Sequence, residues 1–595
     1  MTATPKEKLW SQLVREEALA EFDRHWAALL ARLDPAAGPN LLLTAALARF
    51  AIEQGHVCLD LADPAAWWPP AATAAGYPPP KAEELQAELR RSPLVATPGV
   101  APDSQPAPLV LARNRLYLWR YWQYEEELAA AILRRAVPVE PEPDLPWAEK
   151  LLTDLAAPAG LELDGDQRAA VLGALKHHLT VISGGPGTGK TTIIYFILKL
   201  LREAAGAKPR ILLLAPTGKA AARLGETLRE QQEEGLAAMT IHRALGYQAD
   251  TPTSFRHGRE QPLAADLVVV DEASMVDMAL MSKLLAAVPP TARLVLLGDK
   301  DQLASVEAGS ILGDIFQAAA RLGPCLINLR RGFRFDPGRG IGALVQGIKD
   351  GDPAAVLAVP VSRPEEGSEV TLNAAADPET QADFQALVLQ GFRPCLTAAS
   401  PAEALARLND FRLLCAHRRG PAGVEGLNRF CRELLTSAGL LEPPGLTAGD
   451  DEWYRGRPIL VVANSYEARL FNGDLGIIWD DPEAAGELLA FFPAAGGGLR
   501  RLPPGRLPRH ETAFAMTIHK SQGSEFDRVA VILPREDSSL LSRELLYTAV
   551  SRARSQVHLF GPEAAIARAL ARRVTRISGL AAALAGPGGS GAEEV

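Results

Sequence analysis

The stretch LTVISGGPGTGKTTIIYFILKLL, residues 179–201, decides the fold. It opens as a short apolar strand and closes as an apolar helix. Between the two, Gly184-Gly185-Pro186-Gly187-Thr188-Gly189-Lys190-Thr191 fits G-x4-G-K-T, a P-loop. Glycines are needed because the backbone must wrap phosphates closely enough for its N–H groups to point inward. The pattern predicts Lys190 on the β- and γ-phosphates, Thr191 on Mg2+ with Thr192 beside it, and a helix N-terminus whose dipole favours anions. ATP with Mg2+ is the expected ligand.

Outward from this loop, ILLLA (211–215), LVVVD (267–271) and RLVLLGD (293–299) are continuous apolar runs separated by helical pattern, so they read as strands buried on both faces of a parallel sheet. Upstream, Asp166-Gln167 offers a glutamine amide that either takes both edges of adenine or stands as a solvated helix-start residue. Downstream, Asp271-Glu272 closes an apolar strand. Two carboxylates there are costly unless paired with metal or used, which predicts Asp271 as a Mg2+ ligand and Glu272 as the base that activates water. A further strand delivers Gly298-Asp299-Lys300-Asp301-Gln302, with Gln302 expected to sense the γ-phosphate or the attacking water.

The 595 residues exceed one hydrophobic core and favour three or four domains. An apolar fraction of 47% and a charged fraction of 22% are those of an ordinary globular protein; no run suits a membrane span and the N-terminus MTATPKEKLW carries no signal-peptide pattern, so the cytoplasm is expected. The five cysteines are widely spaced, without a CxxC pair, and read as buried free thiols. A net charge of −9 argues against wholesale coating by nucleic acid but permits a local basic groove.

Residues 1–136 read as a mainly helical domain without a chemical motif. Within it, LARNRLYLWRYWQYEEELAAAILRR (111–135) interleaves aromatics with arginines, a pattern for stacking bases or, preferably, for helix packing. The acidic, proline-rich stretch that follows predicts a linker over 137–149. One α/β region spans 150–340. A second runs from about 340 to 580, with FRLLCA, ILVVAN (459–464), AFAMT, RVAVIL and VHLFG as candidate strands; its lobe proper is 341–425 and 513–582, and inside it lies a β-rich, turn-rich insertion at 426–512. Residues 583–595 read as a disordered tail.

The series DGDQ, GGPGTGKTT, LLAPTGKAAARL, TIHRALG, VVVDEAS, GDKDQLASVEAG, TIHKSQGSEF and YTAVSRAR resembles the superfamily-one DNA helicases. GHVCLDL, LLCAHRRGPAGVEGLN and LFNGDLGI, outside those shared motifs, resemble more closely the RecD family, the α subunits of the bacterial RecBCD (exodeoxyribonuclease V) complexes. The resemblance implies two RecA-like lobes closing on ATP, with Arg334 and Arg552 as arginine fingers supplied in cis. It also implies single-strand contacts on Pro216-Thr217-Gly218-Lys219, on Thr240 and His242, and on Thr517, His519, Lys520, Ser521 and Gln522. The implied activity is 5′ to 3′ inchworm movement on single-stranded DNA during double-strand-break processing. Double-stranded DNA ends and RecB-like and RecC-like subunits are the implied partners, the latter docking on residues 1–136. The alternatives are a free-standing RecD-like helicase, whose long N-terminal extension is missing from this sequence, and a P-loop ATPase without motor function. Arg500, Arg501, Arg506 and Arg509 either touch DNA or form a solvated basic turn. No separate nuclease cluster is visible, so any DNA cleavage is expected in a partner.

Overall fold

The computed structural model describes residues 5–99, 107–205, 208–231, 236–248, 254–359, 369–373, 381–443, 453–465, 467–481, 483–484, 486–494 and 498–586. Two parallel sheets organise the chain. The first has six strands in the order Leu326–Leu329, Leu179–Gly184, Arg293–Gly298, Leu267–Val270, Ile211–Ala215, Ala238–Thr240. Its central strands are buried at nearly every position, as both-face coverage by helices requires. The second lobe has five strands in the order Val370–Asn373, Ala553–Phe560, Phe526–Ile532, Phe411–Cys415, Ala515–Thr517, again all parallel.

The β-rich unit is a separate antiparallel sheet ordered Leu499–Leu502, Leu488–Pro493, Leu475–Asp480, Pro458–Val461, His510–Thr512. ILVVAN therefore contributes to this sheet and not to the parallel one. The expected start of the insertion at 426 also needs correction. Helix Val424–Ser437 buries Val424, Leu427, Cys431 and Leu435 in the second lobe's core, and the β-rich unit begins after it. Turn-rich text beyond the helix hid that amphipathic face.

The N-terminal region is helical, with helices such as Glu21–Leu33, Pro39–Glu53 and Ala82–Arg91, but it also holds a small sheet ordered Leu59–Asp60, Arg115–Leu118, Leu109–Ala112, Val95–Ala96. The stretch 111–135 is thus a hairpin followed by a helix. Arg113 and Asn114 form its two-residue turn with φ of 49° and 57°, the left-handed pair that matches strand twist. Helix Trp119–Arg135 then packs on the first lobe: Leu128, Ala129 and Ile132 share a core with Met281, Leu284 and Leu285 of helix Met278–Ala287. Packing is what its aromatic face serves, since Tyr121, Trp122 and Tyr124 lie against that same core.

Two boundaries move. The expected linker 137–149 ends earlier, because Asp144 accepts the Trp147 N–H at 3.0 Å and caps helix Leu145–Ala156, with Pro146 in the first turn where proline is tolerated. At the other end, the chain leaves the second lobe after helix Glu563–Ala571 and returns across the molecule. Val57 N–H donates to Ile577 O at 2.8 Å, and helix Leu580–Ala585 buries Leu580 and Leu584 in the first lobe's core. Residues 583–585 are accordingly helical; 587–595 lie outside the described residues. All five cysteines are buried and free. Among the described residues no helix is long and apolar enough to cross a membrane.

Candidate nucleotide and nucleic-acid site

The loop Gly184–Lys190 leaves the first lobe's strand at its carboxyl end, where open α/β sheets hold ligands, and helix Lys190–Ala205 carries Thr191 and Thr192 in its first turn. Gly187 and Gly189 have φ of 74° and 82°, a region other residues avoid. The space around them is also taken. A Cβ on Gly187 would collide with the Arg334 Cβ, and one on Gly189 would lie 2.6 Å from Gln167 Nε2. Thr188 closes the loop by donating its hydroxyl to Gly185 O at 2.8 Å. The Lys190 ammonium donates to Gly184 O at 2.6 Å and Gly185 O at 3.1 Å, so it sits over the cradle.

Gln167 is buried, and its amide is committed locally. Its Oε1 accepts from Asp164 N–H at 3.1 Å in a capping box, and its Nε2 donates to Thr188 O at 3.1 Å. It therefore pins the loop, which corrects the solvated helix-start alternative and leaves one amide hydrogen for a base.

Asp271 and Glu272 face the cradle from the next strand but one. Desolvation inside the cleft, with Glu272 beside it, pushes the Asp271 carboxyl above the usual carboxylate range against the opposing pull of Lys190. Glu272 has φ of 53°, a strained value for a non-glycine residue. A crowded carboxyl pair near the P-loop lysine is chemically suited to a divalent cation, and a glycine-lined cradle under a lysine suits a polyphosphate.

The second lobe reaches this site directly. The Tyr547 O–H donates to Asp299 Oδ2 at 2.7 Å, and its oxygen lies 2.9 Å from where a Gly185 Cβ would stand. Asp299 also accepts from Gln302 Nε2 at 2.9 Å. Gln302 Oε1 in turn accepts from Arg552 Nη2 at 2.9 Å. Arg552 is 3% exposed and further donates to Thr548 O, Ser524 O and Ser551 Oγ. Arg334, on the connection between the lobes, donates Nη2 to both oxygens of Glu525 at 3.0 and 3.1 Å, while its Nη1 is buried without a partner among the described residues. Lys190, Asp271, Glu272, Gln302, Arg334 and Arg552 thus converge on one cleft. Asp299, Tyr547, Thr548 and Glu525 join them, although sequence reasoning assigned them no role; each lay inside a quoted motif.

The expected DNA tracts line the sheet edges. Ala215 pairs with Thr240, so 216–219 and 240–242 leave adjacent strands, and Thr517 ends the second lobe's edge strand beside Cys415. Thr217, Thr240 and Thr517 each cap a turn, accepting from Ala220, Arg243 and Lys520 N–H at 3.2, 3.2 and 3.3 Å. Capping uses a lone pair and leaves each hydroxyl hydrogen to donate. Gly523 lies against Thr217, its Cβ position 3.8 Å from the Thr217 hydroxyl, which brings the two lobes' tracts together.

Other members are less open than expected. Lys219 lies over the Phe526 ring at 5.8 Å; burial, then Arg412 and Arg223, push its ammonium down to about 8. Lys520 is paired with Glu511 at 2.7 Å, and Ser521 donates to Ile518 O at 2.7 Å. Gln522 Nε2 donates to Leu303 O at 2.8 Å, a bond between the lobes. Burial lowers the pKa of both His242 and His519; the His242 ring stands edge-on to Tyr247 and Phe255. Pro216 and Gly218 complete the first tract, with Gly218 backed by Phe471 of the β-rich unit.

Family models match in three places: an AAA domain at 167–308, the N-terminal domain of the RecBCD enzyme subunit RecD at 15–117, and a UvrD-like helicase C-terminal domain at 512–560. The RecBCD enzyme subunit RecD of Mycolicibacterium smegmatis is 40% identical over 584 residues, covering 95% of this chain and 97% of that protein. The chain belongs to the RecD family. The RecD subunit of Haemophilus influenzae is 33% identical, covering 80% of this chain and 81% of that one. The ATP-dependent RecD2 DNA helicase of Deinococcus radiodurans is 32% identical over 77% of this chain and 57% of its own length. Among solved structures, Pif1 helicase from Bacteroides with ADP-AlF3 and single-stranded DNA aligns at TM-score 0.38 and 17% identity, over 68% of this chain and 93% of that one. RecD membership agrees with the cleft: a P-loop lobe faces a second parallel lobe that supplies the buried arginine.

Proposed function

We propose that this chain is an ATP-driven helicase that moves 5′ to 3′ along single-stranded DNA, acting as the RecD-type subunit beside RecB-like and RecC-like partners on double-stranded DNA ends. The observation that carries this reading is the Arg552–Gln302–Asp299–Tyr547 chain of hydrogen bonds, in which residues of both lobes meet at the P-loop. A nucleotide held there couples hydrolysis to the distance between lobes.

ATP with Mg2+, when bound, supplies the phosphoanhydride and the cation that shields it. Lys190 and the loop amides hold the phosphates; Thr191 and Asp271 hold the metal; Glu272 takes a proton from water, and Gln302 orients that water. Arg334 and Arg552 face the charge that develops on the transferring group, where a planar guanidinium fork matches phosphate oxygens. The threonine hydroxyls and loop amides at 216–219, 240–242 and 517–522 grip phosphate and sugar oxygens, which sets register without reading sequence. Alternating grip by the two lobes turns each closure into a step, and polarity follows the family. Any DNA cleavage resides in a partner.

Co-purification from native expression, followed by unwinding of tailed duplexes, tests partner and polarity together. Recovery with two larger subunits and opening of 5′-tailed duplexes is expected. A lone, processive helicase would favour the free-standing reading, and opening of only 3′-tailed duplexes would overturn the polarity.

A further inference from the structure

Glu525 stands outside every role assigned above, yet it is the most heavily paired carboxylate in the cleft. Its side chain is 9% exposed and meets three guanidiniums from three places. Arg223, on the helix Gly218–Glu230 that the first DNA tract opens, lies at 2.7 Å. Arg334, on the connection between lobes, lies at 3.0 Å, and Arg554, at the start of the second lobe's strand Ala553–Phe560, at 3.3 Å. Burial works against the Glu525 charge, but Arg223 and Arg334 outweigh it and hold the carboxyl down to about 2. Arg554 is shared with Asp527 at 3.7 Å, and Asp271 and Glu272 also act on Arg223, so the Arg334–Glu525 pair is the part of this cluster that faces the P-loop.

The geometry at Arg334 is asymmetric. Nη2 is committed to both Glu525 oxygens, whereas Nη1 is buried without a partner among the described residues. A guanidinium is planar, so fixing one nitrogen by two charge-assisted bonds fixes the direction of the other. Nη1 is thereby left as a donor to an acceptor that arrives from outside the chain, while the Arg334 backbone packs against Gly187. Arg223 approaches the same carboxylate from the element whose N-terminal cap is Thr217.

The geometry points to Glu525 as the positioning residue for the Arg334 finger, and to Arg223 as the link through which the DNA-gripping helix adjusts it. This rests on the helicase reading above and deepens it. Coupling between strand and nucleotide then passes through one carboxylate shared by two arginines. A shift of helix Gly218–Glu230 on binding a strand moves Arg223, hence Glu525, hence the aim of Nη1.

The test uses the full chain with its partners and steady-state ATP hydrolysis, with and without oligothymidylate. Five variants are compared with the parent: Glu525→Gln, Glu525→Asp, Arg334→Gln, Glu525→Gln with Arg334→Gln, and Arg223→Gln. Glu525→Gln is expected to lower kcat by about ten- to a hundredfold with KM for ATP changed less than about threefold, because orientation and not ground-state binding is lost. The double variant is expected to be no worse than Arg334→Gln alone, since both act through one guanidinium. Glu525→Asp, which keeps the charge, is expected to recover part of the rate. Additive losses, or a change confined to KM, would overturn the positioning role. Arg223 is part-exposed, and thermal melting of Arg223→Gln checks that the fold is retained. Arg223→Gln is expected to shrink the ratio of DNA-stimulated to DNA-free kcat by about fivefold or more; an unchanged ratio would overturn the link. A parent rate indifferent to oligothymidylate would instead defeat the helicase reading, and the DNA-free comparison of Glu525 with Arg334 would still decide the positioning role.

Discussion

At the residue scale, the site is built from side chains with no slack. Arg552 donates to four acceptors while 3% exposed, and no ammonium can span that set. Arg552→Lys is therefore expected to lower kcat for ATP by about a thousandfold with the fold retained, as measured by steady-state hydrolysis beside circular dichroism; a loss under tenfold would show that the charge alone suffices. Gly187→Ala makes a different demand, adding a Cβ at φ of 74° into the Arg334 side chain. It should displace Arg334 from Glu525 and cost both nucleotide affinity and about 1 kcal/mol or more of stability, readable by calorimetric titration and thermal melting. The P-loop and the acidic pair were legible in the sequence because their chemistry is bound to short spacings, whereas both arginines came only from the family resemblance. Glu525, Asp299 and Tyr547 were not. Each depends on a partner more than a hundred residues away in the chain, and no local pattern distinguishes a carboxylate shared by three arginines from a solvated one.

At the scale of elements, the alternation of apolar runs with helical pattern disclosed both parallel sheets, since both-face burial leaves the same mark in every strand. Helix Val424–Ser437 and the hairpin at 109–118 escaped, the first because turn-rich text follows it, the second because its left-handed turn is Arg113-Asn114 and contains no glycine. The returning C-terminal segment was equally hidden, for its anchors lie far away in the chain, among them one buried carboxylate. Glu125 accepts the Tyr117 O–H at 3.0 Å and the Gly579 N–H at 2.8 Å, with Arg113 4.0 Å away and Asp314 held nearby by Ser578. Burial raises the Glu125 carboxyl to about 7 from 4.5, against those hydrogen bonds. The folded state then binds a proton more tightly than the unfolded one. The contribution of Glu125 is fully present below pH 4.5 and is progressively lost as the pH rises through 7, by up to about 3 kcal/mol. In Glu125→Gln the amide can accept from Gly579 and donate to Tyr117 without a charge. Its melting temperature relative to the parent is expected to rise between about pH 5 and pH 8; a difference independent of pH would contradict the assignment.

At the scale of the whole molecule, the lobes touch through Asp299 with Tyr547, Gln302 with Arg552, Leu303 with Thr548 and Gln522, and Arg223 with Glu525. The same few residues therefore line the proposed nucleotide site and hold the lobes together. Beside them, Thr217 of one lobe meets Gly523 of the other along the expected path of the strand. Closure of one contact set cannot leave the other unmoved, which is the physical content of a motor. The measurement that tests this most directly is ATP hydrolysis by the purified chain as single-stranded DNA is added, in the parent and in Lys190→Gln. Stimulation of the purified parent chain by about tenfold or more, with that stimulated hydrolysis lost in the folded Lys190→Gln chain, is the predicted result. A parent rate that is unchanged by DNA, or a Lys190→Gln chain stimulated as the parent is, would contradict the account.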